Sequence, residues 1–137
     1  MQFNSLITAL TILALTTNYA LLWTLIIYPE TQDCTGDSHV KYTSDNTSPQ
    51  CFVAGKPGED VTCEVKSDDG KTWASCRDDA LAADPDKLSF TIAKGNYCTW
   101  AAVGEYCAGD SSKSQGECLK GSEYGHGNNM RFQCANE

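Results

Sequence analysis

The sequence predicts a small, mainly β domain: an antiparallel sheet folded as a sandwich or compact barrel, stapled by disulfides. One short helix near 78–84 leaves an α+β description open. Three observations predict this. Short runs of alternating apolar and polar residues recur with turn residues between them, at the spacing of a sandwich. Eight cysteines are dispersed through the chain from Cys34 onward, an even number that in a small exported domain reads as a framework of bridges. At 137 residues there is room for one such domain and not comfortably for two.

The N-terminal stretch is of a different kind. Residues 6–28 carry no charge and run as Leu-Ile-Thr-Ala-Leu-Thr-Ile-Leu-Ala-Leu, Thr-Thr-Asn-Tyr-Ala and Leu-Leu-Trp-Thr-Leu-Ile-Ile-Tyr. An apolar centre of about 7–15 residues followed by small residues is the pattern of a secretory signal peptide. Residues 6–15 leading to Ala20 have that length, although no Lys or Arg precedes them and Asn18 stands where a small side chain is preferred. On this reading 1–20 is a signal peptide and 21–137 a single disulfide-rich domain, whose first strand lies within 21–28 and is ended by Pro29. The alternative takes the whole apolar run as an uncleaved signal anchor, since a span needs about 20 apolar residues. Both readings send the body of the protein out of the cytosol, and the first makes it secreted and extracellular.

Beyond Cys34, residues 39–43 form one short strand, followed by a polar turn in which Asn46-Thr47-Ser48 is a glycosylation sequon with Asn46 as acceptor. Residues 51–54 form another, closed by the turn chemistry of Gly55-Lys56-Pro57-Gly58. The sheet is then expected to be organised around a hairpin over 61–76, because Val-Thr-Cys-Glu-Val-Lys and Lys-Thr-Trp-Ala-Ser-Cys flank Ser67-Asp68-Asp69-Gly70. With Asp69-Gly70 as a two-residue loop, Val65 faces Ala74 and Cys63 faces Cys76 on a core side. Glu64, Lys66, Trp73 and Ser75 then share the opposite side, a solvent or binding surface. Only Cys63 with Cys76 has a local argument for pairing. The partners of Cys34, Cys51, Cys98, Cys107, Cys118 and Cys134 stay open, since eight cysteines allow about a hundred connectivities.

Asp78 can cap the short helix and Pro85 ends it. Residues 88–92 alternate most cleanly, with Leu88, Phe90 and Ile92 on one side. Gly95-Asn96 then offers a tight turn into 97–103, and a hairpin here would set Thr99, Ala101 and Val103 beside that trio, with Trp100 next to Cys98 on the other face of a sheet buried on both sides. Residues 104–127 are rich in Gly, Ser, Lys and Glu and are held by Cys107 and Cys118. In the last strand Met130, Phe132 and Cys134 point inward. About seven strands result, joined by turns.

Charge and spacing exclude several chemistries. The formal charge is −8 and no basic stripe is present, which disfavours nucleic acid. There is no C-x-x-C pair, the closest cysteines being Cys98 and Cys107, so neither a zinc site nor a thioredoxin-like centre is expected. Asp78, Asp79, Asp84 and Asp86 lack the spacing and the bidentate Glu of a calcium loop, and the first pair reads as cap and helix-dipole partners. No metal and no other cofactor is therefore expected. Of the two histidines, His39 and His126, neither lies in a nucleophile motif, so no catalytic residue is assigned. The strongest enzymatic set joins them to Glu64 or Glu105 and to Arg131, as the base, acid and cation of phosphodiester transfer. Gly127-Asn128-Asn129-Met130-Arg131-Phe132-Gln133-Cys134 resembles the C-terminal end of the small acidic fungal guanyl-specific ribonucleases. That resemblance implies an RNase-like hydrolase as the alternative function, although the His-bearing strand and N-terminal helix of those enzymes have no counterpart here. Trp73, Tyr106, Tyr124 and His126 are the candidate binding surface. Trp73 stands out among them because the hairpin register turns it away from Val65.

In layout the chain resembles small secreted cysteine-rich proteins of filamentous fungi, including plant-pathogen effectors and antifungal or killer-type toxins. The matching features are the Met-Gln-Phe opening, the Thr- and Leu-rich leader, the acidic body and eight cysteines between short strands. The resemblance implies a monomer delivered out of a fungal cell and free of the membrane once the leader is removed. It would act in virulence or avirulence by binding a host protein or cell-surface component. The cationic antifungal members are basic and this chain is acidic, which weakens the toxin branch; an antifungal or killer-type toxin or a carbohydrate-binding protein stands as an alternative.

Overall fold

Alternation sets the faces of the sheet from its middle outward. The computed structural model describes residues 23–45, 51–66, 70–76, 84–94, 97–101, 107, 110–112, 115–124 and 130–135. The signal peptide over 1–20, the Asn46 sequon, the helix before Asp84, Asp69, the Gly95-Asn96 turn, Glu105, Tyr106 and His126 lie outside them. Strand β1 (Trp23–Tyr28) buries Trp23, Leu25 and Ile27 and leaves Thr24, Ile26 and Tyr28 half-buried, a strict period of two. Antiparallel partners flank it. On one side lies β2 (Val40–Ser44), with Ile27 opposite Val40 and Leu25 opposite Tyr42. On the other lies β6 (Ser89–Lys94), with Ile27 opposite Phe90 and Leu25 opposite Ile92.

Two sheets face each other across one core. The six-stranded sheet runs β5-β4-β2-β1-β6-β9, where β4 is Thr62–Lys66, β5 is Trp73–Ser75 and β9 is Leu119–Lys120. The four-stranded sheet runs β3-β10-β7-β8, where β3 is Phe52–Val53, β7 is Tyr97–Ala101, β8 is Asp110–Ser112 and β10 is Arg131–Ala135. Trp23, Leu25, Tyr42, Phe90 and Ile92 from the first sheet meet Phe52, Trp100, Phe132 and Met130 from the second. Ring pairs lock the layers together, with Phe90 edge-on to Trp100 at 5.0 Å and to Phe132 at 5.1 Å. Each such pair adds about 0.5–1.5 kcal/mol beyond area burial. The result is the expected mainly β, disulfide-stapled, two-sheet arrangement.

Four bridges staple it, and no described cysteine is free: Cys34–Cys118, Cys51–Cys107, Cys63–Cys76 and Cys98–Cys134. Cys98 and Cys134 face each other across β7 and β10, both buried.

The predicted hairpin holds its register, with Val65 opposite Ala74, Lys66 opposite Trp73 and Glu64 opposite Ser75, and with the Cys63–Cys76 bridge beyond them. Gly70 takes φ +67°, the left-handed conformation the turn needs. Its place differs from the expectation, however. β5 is an edge strand and β1 occupies the interior of the sheet, so Val65 is only half-buried and Ala74 is exposed.

A second expectation is overturned: β6 and β7 do not pair. β6 lies between β1 and β9, whereas β7 lies between β10 and β8 in the other sheet. Thr99 and Ala101 sit opposite Gln133 and Arg131 and are half-buried, while Cys98 and Trp100 are buried. The physical reason is the size of the indole. A hairpin in one sheet would turn Trp100 away from Phe90, but crossing to the facing sheet brings both rings into one core. Ten strands are present among the described residues, more than the turn count suggests, because β8 and β9 are too short to show a period.

One loop is pinned with unusual thoroughness. Gln32 donates from Nε2 to the carbonyl oxygen of Leu88 at 2.7 Å and accepts from Ser122 Oγ at 2.8 Å. The Cys34 N–H donates to Ser89 Oγ at 2.8 Å, with Cys34 itself at φ +56°. These bonds and the Cys34–Cys118 bridge fasten 29–37 over β6 and against the 3-10 turn Gly121–Glu123. At Gly121 a Cβ would meet the Pro85 carbonyl oxygen at 2.5 Å, so only glycine fits there.

Candidate binding face

The core-facing parity of β1, β2, β4 and β5 dictates what their other side displays. Tyr28, His39, Lys66 and Trp73 fall in one row across the strands. Lys66 is opposite Trp73 in the β4–β5 ladder, and its N–H donates to the His39 carbonyl at 3.0 Å. The rings of Tyr28 and His39 are in contact at 5.2 Å, as are those of His39 and Trp73. The neighbouring row holds Ile26, Lys41, Glu64 and Ser75, successive partners across the same strands. All these side chains are half-buried except the exposed Ser75.

Electrostatics ties the two rows together. Lys41 Nζ lies 4.1 Å from the centre of the Trp73 ring and 2.8 Å from Glu64 Oε2. Lys66 Nζ lies 5.4 Å from the same ring. Its ammonium meets no carboxylate within ion-pair distance among the described residues. His39 Nδ1 sits 3.3 Å from the Gly36 carbonyl oxygen, which leaves Nε2 as the ring nitrogen without that contact. Among the described residues of these two rows, one carboxylate stands against two ammonium groups, on a chain whose formal charge is −8. Each cation–π contact contributes about 0.5–1 kcal/mol at a partly exposed site. The Glu64–Lys41–Trp73 contacts favour the orientation of the indole.

The residues singled out in the sequence are distributed unevenly over this geometry. Trp73 stands on the face away from Val65. Tyr124 lies on the core side, half-buried against Phe90 at 6.3 Å and Trp100 at 5.1 Å. It therefore does not share a surface with Trp73. Tyr28, His39 and Lys41 were not expected here. Only the β1–β2–β4 pairing brings them beside Trp73, and the sequence holds no local signal for it.

No family model, curated protein or solved structure matches this chain. The functional argument therefore rests on the face itself.

The ribonuclease-like set is not assembled by the described residues. His39 and Glu64 stand on the outer side of the six-stranded sheet. Arg131 alternates with the buried Met130 and Phe132, and so stands on the outer side of the four-stranded one. No group of three or more His, Cys, Asp or Glu side chains among the described residues could hold a metal ion. No helix among them is long and apolar enough to cross a membrane.

Proposed function

We propose that this chain is a secreted, effector-like binding protein that engages a host macromolecule at the cell surface through the outer face of its six-stranded sheet. The single observation that carries the reading is the contiguous Tyr28–His39–Trp73 ring chain flanked by Lys41 and Lys66. Aromatic side chains held partly open on a sheet surface offer contact area for recognition beyond what their cross-strand contacts give the sheet. Export is supported by the pairing of all eight cysteines, since such frameworks persist in oxidising compartments. The uncharged stretch before the domain and the layout shared with secreted fungal cysteine-rich proteins support the same route and a part in virulence. Catalysis has no comparable support, because the histidine, carboxylate and arginine candidates that are described occupy opposite sides of the molecule.

The test uses labelled, fully oxidised protein applied to intact host cell surfaces, compared with a Trp73→Ala, Lys66→Ala double variant of native disulfide pattern. Wild type should be retained and the double variant washed away. Equal retention of a correctly folded double variant would overturn the reading.

A further inference from the structure

We infer that the ligand of this face is an anionic polysaccharide, with a sugar ring packed on Trp73 and an acidic substituent held by Lys66. The inference rests on the binding face proposed above and names its substrate class. Three features lead to it. First, the row Tyr28, His39, Lys66, Trp73 crosses four adjacent strands, and with strands about 4.8 Å apart it measures about 14 Å end to end. A straight row of that length matches a linear polymer lying across the sheet.

Second, the surroundings of the rings are wrong for a protein partner. Interface cores are depleted in Lys, Glu and Ser. Here Lys41, Glu64, Lys66 and Ser75 stand among the rings, and Ile26 is the aliphatic exception in the neighbouring row. Partly exposed rings among hydroxyl and charged groups suit a ligand that offers polarised C–H bonds to a negative π face and hydroxyls to everything around it.

Third, the charge selects the sign of the ligand. Glu64 neutralises Lys41 at 2.8 Å, whereas Lys66 stays without a carboxylate partner among the described residues. Against a background of −8, the Lys66 ammonium is the group in these two rows that offers an anion a partner. One ammonium without a carboxylate partner among the described residues suits a ligand that brings an acidic group to this point beside a sugar ring. The Lys41 contact biases Trp73 toward one orientation, so less side-chain freedom is lost when a sugar packs against it.

Affinity electrophoresis and calorimetry of the oxidised protein test this with polygalacturonate and dextran sulfate as anionic probes, laminarin as a neutral glucan and poly-L-glutamate as an anionic peptide. Retention by at least one anionic polysaccharide is expected, at least tenfold tighter than by laminarin or polyglutamate and weakened by added salt. The preferred anionic probe identifies the acidic group. Lys66→Glu should abolish retention while lowering the melting temperature by no more than about 5 °C, and Trp73→Ala should weaken it at least tenfold. Lys87→Glu, an equal charge change at an exposed turn, should leave it intact. Equal binding to laminarin, tighter binding to polyglutamate, or an equal loss with Lys87→Glu would each overturn the inference. So would the absence of binding to either anionic polysaccharide. In that last case Trp73-dependent retention on cell surfaces would still uphold the binding face.

Discussion

Lys41 Nζ lies 4.1 Å from the centre of the Trp73 ring while accepting Glu64 as its ion-pair partner at 2.8 Å, so one cation is shared between a π face and a carboxylate. Both side chains of the ion pair are partly exposed, at 25% and 34%. Solvent screening therefore limits its worth to about 0.2–1 kcal/mol. A double-mutant cycle of Lys41→Met and Glu64→Gln in urea melts should return a coupling energy in that range. A coupling above about 2 kcal/mol would show that the pair supports the fold rather than positions the indole.

The four bridges should open in an order set by access. Cys118 is exposed and Cys34 half-buried, whereas Cys98 and Cys134 are 1% and 0% exposed. Under limiting reductant without denaturant, alkylation and mass mapping should find Cys34 and Cys118 first and Cys98 with Cys134 last. Replacing Cys34 and Cys118 together by Ala removes a cross-link over a sequence separation of 84. The chain-entropy account gives a loss of about 4–5 kcal/mol. That is a large share of the roughly 5–15 kcal/mol that a domain possesses. Labelling of Cys98 and Cys134 ahead of the others would contradict the packing described.

Gly121 and Gly116 make a controlled pair. A Cβ at Gly121 would press on the Pro85 carbonyl oxygen at 2.5 Å and on Leu88 Cδ1 at 2.9 Å. Gly116 has φ +77° with nothing within 4 Å. Gly121→Ala should cost about 1–3 kcal/mol through overpacking. Gly116→Ala should cost about 1–2 kcal/mol, from the left-handed backbone alone. Equilibrium melts of the two variants check the contrast in mechanism. Truncating Leu88 to Ala should partly relieve Gly121→Ala and leave Gly116→Ala unaffected.

Tyr42 links stability to alkaline pH. Its side chain is buried, and its hydroxyl accepts the Gly55 N–H at 2.8 Å. Burial pushes the phenol above its ordinary value, opposed in part by that hydrogen bond. A phenol near 10 in the unfolded chain and higher in the folded one keeps its proton longer when folded. Its contribution to stability is therefore complete below about pH 10 and is lost as the pH rises through the folded value. Unfolding midpoints should fall above about pH 10, and Tyr42→Phe should flatten that limb. At neutral pH the same variant leaves the Gly55 N–H unpaired and should cost about 1–3 kcal/mol. An unchanged alkaline limb in Tyr42→Phe would assign the loss to other groups.

Period-two alternation, turn chemistry and an even cysteine count were sufficient to determine a disulfide-stapled β domain. They also set the inward face of β10 and the hairpin register that pairs Lys66 with Trp73. Each of these is a local relationship, written within a few residues of chain. What only the tertiary structure decided is nonlocal. It set the crossing of β7 into the opposite sheet, the partners of the six cysteines outside the hairpin, and the meeting of Tyr28, His39 and Lys41 with Trp73. Alternation tells which side of a strand is buried but not which strand lies next to it. Neighbours in a sheet are chosen by how large side chains such as Phe90 and Trp100 fill a shared interior. The outer face, and with it the proposed binding site, is inherited from that choice.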